Sequence, residues 1–338
     1  MNNETYGISY EEYVEDYLSS PKKEFIGEGK YYHYTSLENC LNLLNHDNNI
    51  FELWASHLSY LNDKEEHVNG LKLIDRKVED LLLSKGDDLS DWIEEYKEKQ
   101  NTMLNEIFIL CFCSKRSLLS QWKYYGKNSG IAIQYNLDHC EYTGYIEDGG
   151  AYAKEMFIPN FAQKVIYDNM EKQRIIDSFI HENIYSIYNG PDDKVSKYRR
   201  IIRNMDILYS LAPLFKHDAF AEENESRLLF RPLYLEDTVG VKDARDLVNY
   251  RVSNNKVIPY LKVKVRGKEE KGKRSPVILS LTVGPGENQD LIFDALKHFV
   301  RNKFPNSENH FEPIYRKDYS YIKVNGIEIR KASIPFRD

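Results

Sequence analysis

The sequence predicts an α+β fold. Short β-rich runs recur along its whole length, two stretches with helical apolar spacing lie between them, and regular strand–helix–strand alternation is missing. The missing alternation argues against a doubly wound nucleotide-binding sheet. No G-x-G-x-x-G or Walker-type loop appears, and Gly284-Pro285-Gly286 reads as a strand-to-helix turn.

Residues up to Gly29 read as a polar helical and turn extension, ahead of one domain over 30–338. Lys30–Tyr34 is β-rich, and Ser36 is placed to cap a helix marked by Leu37, Cys40, Leu41 and Leu44. Phe51–Ala55 alternates as a strand and ends at Ser56. Val68, Leu71, Ile74, Val78, Leu81 and Leu82 trace one helical face, Gly86-Asp87-Asp88 breaks it, and Trp92, Ile93 and Tyr96 mark a second helix.

Strands return at Ile107–Cys113 and Ile131–Tyr135 around a helix near Leu118–Tyr125, where Trp122 and Tyr125 are spaced to anchor it on the sheet and Gly126 to end it. A helical block covers about 170–214, interrupted at Asn189-Gly190-Pro191. Ser226–Phe230, Val248–Val252, Val257–Val265 and Val277–Val283 then read as strands, followed by a helix over Leu291–Val300 and short strands at Tyr321–Val324 and Ile327–Ile329.

At 338 residues, with 41% hydrophobic and 29% charged, the chain can bury a core, and no run approaches the roughly 18 apolar residues of a membrane span. Its start lacks the basic and apolar segments of a signal peptide, so a cytoplasmic location is expected. Cys111 and Cys113 alternate on one face of a strand, without a second pair at zinc spacing, so no metal site is expected. A net charge of −7 argues against general polyanion binding; the basic stretch Lys262–Arg274 reads as an exposed hairpin connection that could also touch a nucleic-acid strand. The 26 tyrosines fit the codon usage of an AT-rich genome as well as they fit aromatic recognition.

Two runs carry candidate chemistry. Tyr31-Tyr32-His33-Tyr34-Thr35 is a strand carrying a histidine, which can bond a ribose hydroxyl or simply fix its own loop. Glu223-Asn224-Glu225-Ser226-Arg227 places two carboxylates on one side of a strand, with Arg227 continuing that face as their cation. The pair suits cleavage of the glycosidic bond in NAD, whose oxocarbenium-like centre a carboxylate stabilises while a second orients an acceptor. It also suits a solvated edge stripe. Tyr60 can stack on a nicotinamide ring or pack as an ordinary tyrosine; Asn62 or Asp63 suits a helix cap.

The ordered set of motifs resembles a large, mostly bacterial family of uncharacterised domains related to the ADP-ribosyltransferase fold. The resemblance rests on His33-Tyr34-Thr35, Trp54-Ala55-Ser56, Leu61-Asn62-Asp63, Trp122-Lys123-Tyr124-Tyr125-Gly126 with Gly130-Ile131-Ala132-Ile133, and Phe220 followed by Glu223, Glu225 and Arg227. Val283-Gly284-Pro285 and Ser333-Ile334-Pro335-Phe336-Arg337 add to it. Phe220 stands where the family usually has tryptophan, and Lys64 where it often has proline.

The resemblance implies a split-sheet core with helical insertions at about 63–105 and 170–214, using NAD as substrate. It implies Glu225 as catalytic carboxylate and Glu223 as its accessory, although the alignment can be read the other way. His33, Tyr34, Thr35, Ser56, Tyr60 and Arg227 would contact NAD. The implied activity is an ADP-ribosyltransferase acting as a toxin or anti-phage effector on a protein, nucleic acid or nucleotide, with an antitoxin or defence-system protein as a further partner. The alternatives are a non-catalytic nucleotide- or protein-binding module and an NAD glycohydrolase.

Overall fold

The computed structural model describes residues 29–45, 50–61, 64–83, 87–103, 107–126, 129–144, 162–230, 247–253, 255–304, 321–324 and 326–334. The expected extension before Gly29, the cap at Asn62 or Asp63 and the end at Pro335-Phe336-Arg337 lie outside the described residues.

The elements follow the α+β expectation. β1 (Tyr31–Thr35) leads into α1 (Leu37–Leu44), where Ser36 Oγ accepts the Asn39 amide at 3.2 Å, as its N-cap position requires. β2 (Ile50–His57) precedes α2 (Lys64–Leu83) and α3 (Asp87–Met103). Next come β3 (Phe108–Cys113), α4 (Leu119–Gln121), β4 (Ile131–Tyr135) and β5 (Cys140–Gly144). β6 (Gln163–Lys164), α5 (Asn169–Ile180) and α6 (Lys194–Ser210) lead to β7 (Glu225–Phe230). β8 (Val248–Ser253), β9 (Lys256–Gly267), β10 (Glu269–Glu270) and β11 (Lys273–Arg274) follow. The rest is β12 (Ile278–Val283), α7 (Gln289–Lys303), β13 (Tyr321–Val324) and β14 (Ile327–Lys331).

One expectation is corrected at α4. The chain runs on from it into a π turn, Trp122–Gly126, which changes the angular step between residues. Trp122 is therefore buried edge-on against Tyr34, with ring centres 4.7 Å apart, while Tyr125 is exposed rather than an anchor.

Strand order in the mixed sheet is β13-β14-β12-β4-β1-β3-β2-β9-β5, with β7 on β3, β6 on β7 and β8 on β9. One edge of β3 is paired along its whole length by β7. The other is shared: β1 meets it only at Tyr32–Cys113, and β2 only at Ser56–Ile109 and His57–Phe108. Between these contacts Leu110 to Phe112 pair with neither β1 nor β2 on that edge.

Alternation along β3 feeds two cores. Phe108, Leu110 and Phe112 join Cys40 and Leu44 of α1 and Phe293, Leu296 and Val300 of α7. Ile107 and Ile109 join α2, α3, α5 and α6 through Ile74, Ile93, Ile176 and Leu208. Gly70 lets α2 approach the turn Ala212–Leu214, since a Cβ there would meet the Ala212 carbonyl oxygen at 2.4 Å. That turn leads directly into the carboxylate cluster. No helix among the described residues is long and apolar enough to cross a membrane.

Candidate functional site

The Glu-x-Glu run is built differently from a plain strand. Glu223 ends a 3₁₀ turn, Asp218–Glu223; Asn224 takes a left-handed conformation (φ 42°) that asparagine tolerates, and only Glu225 lies in β7. Both carboxylates nevertheless reach one cation: Lys216 Nζ donates to Glu223 Oε2 at 2.7 Å and to Glu225 Oε2 at 3.0 Å.

Arg227 grips Glu225 with a fork, Nε to Oε1 at 2.8 Å and Nη2 to Oε2 at 2.9 Å. A further Arg227 N–H donates to the Pro213 carbonyl. The Glu225 amide donates to the Tyr167 hydroxyl at 2.9 Å, so backbone and side chain are both fixed.

Glu225 is buried, and burial by itself pushes its carboxyl up. Arg227, Lys216 and a bond from the Cys111 thiol outweigh that and hold it at about 2. The thiol stays protonated, because burial and the neighbouring carboxylate raise it well above the usual range. Glu225 is thus an ionised anchor with its oxygens occupied. Glu223 is more open, with 22% of its side chain exposed, and its only ion pair among the described residues is the one with Lys216.

His33 sits on the other side of Cys111. Its Nδ1 lies 3.2 Å from the Cys111 carbonyl oxygen, on the edge of β3 that β1 and β2 share. A carbonyl can only accept, so Nδ1 carries the proton and Nε2 is an acceptor. Burial lowers the histidine pKa, the Cys111 carbonyl opposes this, and the charge of Arg251 adds to the lowering. The ring is therefore neutral, with its edge toward Phe112.

The remaining predicted residues divide. Ser56, half-buried near the end of β2, accepts a bond from Arg251 Nη2 at 2.8 Å. Tyr60 is exposed on a 3₁₀ turn, edge-on to His57 at 5.5 Å. Thr35 is buried at the end of β1. Tyr34 is buried with its hydroxyl fully used, donating to the Lys115 carbonyl at 2.7 Å and accepting from the Leu118 amide at 3.0 Å. Arg227, 1% exposed, is spent on Glu225 and Pro213. The fold thus brings His33 and Glu225 to the carbonyl and thiol of one residue, while Tyr34 and Arg227 hold the surrounding structure.

Three functional candidates escape motif reading. Lys216 has a signal, since two nearby carboxylates need more than one cation. Cys111 has none, because its role comes from β3 lying between β1 and β7. Arg251 is the third, on an outer strand that carries no motif. Among the described residues no cluster of three or more metal-ligating groups occurs, and the two clustered carboxylates are already offset by two cations.

The chain carries a domain matching a family described as a protein of unknown function (DUF2971) at residues 121–228. The match includes the Trp122–Gly126 turn and the Glu223–Arg227 run, and stops short of the His33 and Trp54 strands. No curated protein and no solved structure matches the chain.

Proposed function

We propose that this protein cleaves the nicotinamide–ribose bond of NAD and transfers ADP-ribose to a nucleophile on a macromolecule or nucleotide. The observation that carries the reading is the convergence on Cys111: its carbonyl takes His33 and its thiol contacts Glu225, joining two distant runs that suit one chemistry.

His33 Nε2 accepts a ribose hydroxyl, its other nitrogen being committed to the sheet. Glu225, locked by Arg227, fixes Lys216, and Lys216 fixes Glu223. Glu223 then takes the substrate-facing role, since it keeps exposed oxygen while Glu225 does not. As the N-glycosidic bond breaks, its electron pair leaves with nicotinamide and positive charge grows at C1′. The Glu223 carboxylate stabilises that charge. The acceptor adds to C1′ and passes its proton to Glu223.

The test is nicotinamide release from NAD by the purified chain, with and without cell extract as acceptor. Glu223→Gln should lower release by about 10²–10³-fold, the usual effect of removing one electrostatic stabiliser of a transition state. Release at the wild-type rate would remove the proposal. The saturation of Glu225 favours a second reading, a nucleotide-binding module without catalysis. ADP-ribose binding together with no nicotinamide release in either condition would select it. Release without transfer would mark an NAD glycohydrolase.

A further inference from the structure

Arg251 is a charged residue half-buried in a strand whose apolar neighbours are exposed. β8 turns Tyr250 and Val252 out, 67% and 78% exposed, and turns Arg251 inward. Apolarity favours the opposite arrangement. The guanidinium is seated 5.8 Å from the ring centres of both Trp54 and Tyr260, which stack on each other at 4.5 Å. One Nη2 bond to Ser56 orients it.

Among the described residues the seat leaves the charge unbalanced. No carboxylate among the described residues pairs with Arg251, and among them its buried Nε has no acceptor. Arg227 makes the contrast: it is more deeply buried, yet both Nε and Nη2 reach Glu225. A desolvated guanidinium with an idle N–H costs free energy that a bound oxyanion removes, and its planar fork matches phosphate or carboxylate oxygens. Ser56 ties this cation to the edge of β3 on which His33 meets the Cys111 carbonyl, and the reading under Proposed function gives His33 Nε2 a ribose hydroxyl. A phosphate beside a hydroxyl is the chemistry of a sugar phosphate.

We infer that Arg251, held by Trp54, Tyr260 and Ser56, is an oxyanion site that takes the phosphate oxygens of a nucleotide. That the ligand is a nucleotide rests on the reading under Proposed function; the anion site itself does not.

The experiment uses the full chain labelled with ¹⁵N, following arginine Nε–Hε resonances during titration with inorganic pyrophosphate, ADP-ribose and adenosine. The Arg251 signal is identified by its absence in Arg251→Lys. Pyrophosphate and ADP-ribose should each move it saturably, and adenosine should not. Arg251→Gln should weaken ADP-ribose binding by about ten- to a hundred-fold, the range for losing a charge-assisted hydrogen bond.

An unmoved Arg251 resonance at millimolar pyrophosphate and ADP-ribose overturns the inference. So does undiminished ADP-ribose binding by a folded Arg251→Gln. If that variant does not fold, the wild-type titration decides alone. Nicotinamide release on the same preparation separates the two claims: phosphate binding without release would count against NAD cleavage and leave the anion site standing.

Discussion

Replacing Glu225 by glutamine keeps the side chain's shape and removes the anion that balances Arg227 and Lys216. The carboxyl titrates at about 2 in place of an ordinary 4.5, and at about 1.4 kcal/mol per pKa unit that difference is worth about 3 kcal/mol. Removing one partner of a buried ion pair costs about 3–5 kcal/mol by a separate route, and the low end applies because Arg227 keeps Pro213 and Lys216 keeps Glu223. Urea unfolding at pH 7 should therefore show Glu225→Gln less stable by about 3 kcal/mol. The folded value lies below the unfolded one, so the unfolded chain takes up the proton first. The contribution is complete above about pH 5 and drains away as pH falls toward 2. Wild type should lose about 3 kcal/mol more than the variant across that window. A variant within about 0.5 kcal/mol of wild type at pH 7, or with the same pH slope, would refute the anchoring role.

Tyr34→Phe strands the Lys115 carbonyl and the Leu118 amide and should cost about 1–3 kcal/mol in urea unfolding, with unchanged stability counting against the hydroxyl's bridging role. Gly70→Ala puts a methyl 2.4 Å from the Ala212 carbonyl oxygen and should destabilise by about 1–3 kcal/mol through displacement of the turn; a neutral melting temperature would contradict that close approach. His33→Ala should weaken ADP-ribose binding about tenfold by calorimetry, the loss of one hydrogen bond, and equal affinity would exclude the Nε2 contact. Because burial lowers the His33 pKa, affinity should stay constant from pH 8 to pH 6.5 and fall only below the ordinary histidine range. A fall centred above pH 6.5 would show that the imidazole is not held neutral.

Strands and helices with clear local patterning could be read from the chain alone. Ile131–Tyr135 appears with the expected bounds, and Ser36 caps α1 because a serine before an apolar helical repeat has one good use. β5 and the two-residue β6 escaped, being short and defined by their partners β9 and β7 rather than by alternation. The π turn at Trp122 escaped because helical spacing looks alike in sequence whichever turn the backbone takes. At the site, the Glu225–Arg227 pairing follows from a two-residue strand step, so it was open to reading. Arg251 was not. Tyr250 and Val252 alternate as an inward face would, yet both are exposed while Arg251 packs on the Trp54–Tyr260 stack.

The central claim is that Glu223 acts on NAD while Glu225 only holds it in place. Its most direct test is mass spectrometry of cell extract incubated with isotope-labelled NAD and either wild type or Glu223→Gln, both shown to be folded. The claim predicts a labelled ADP-ribose adduct with wild type and none with the variant. Equal adduct from both proteins would contradict it, as would wild type that gives neither adduct nor nicotinamide release.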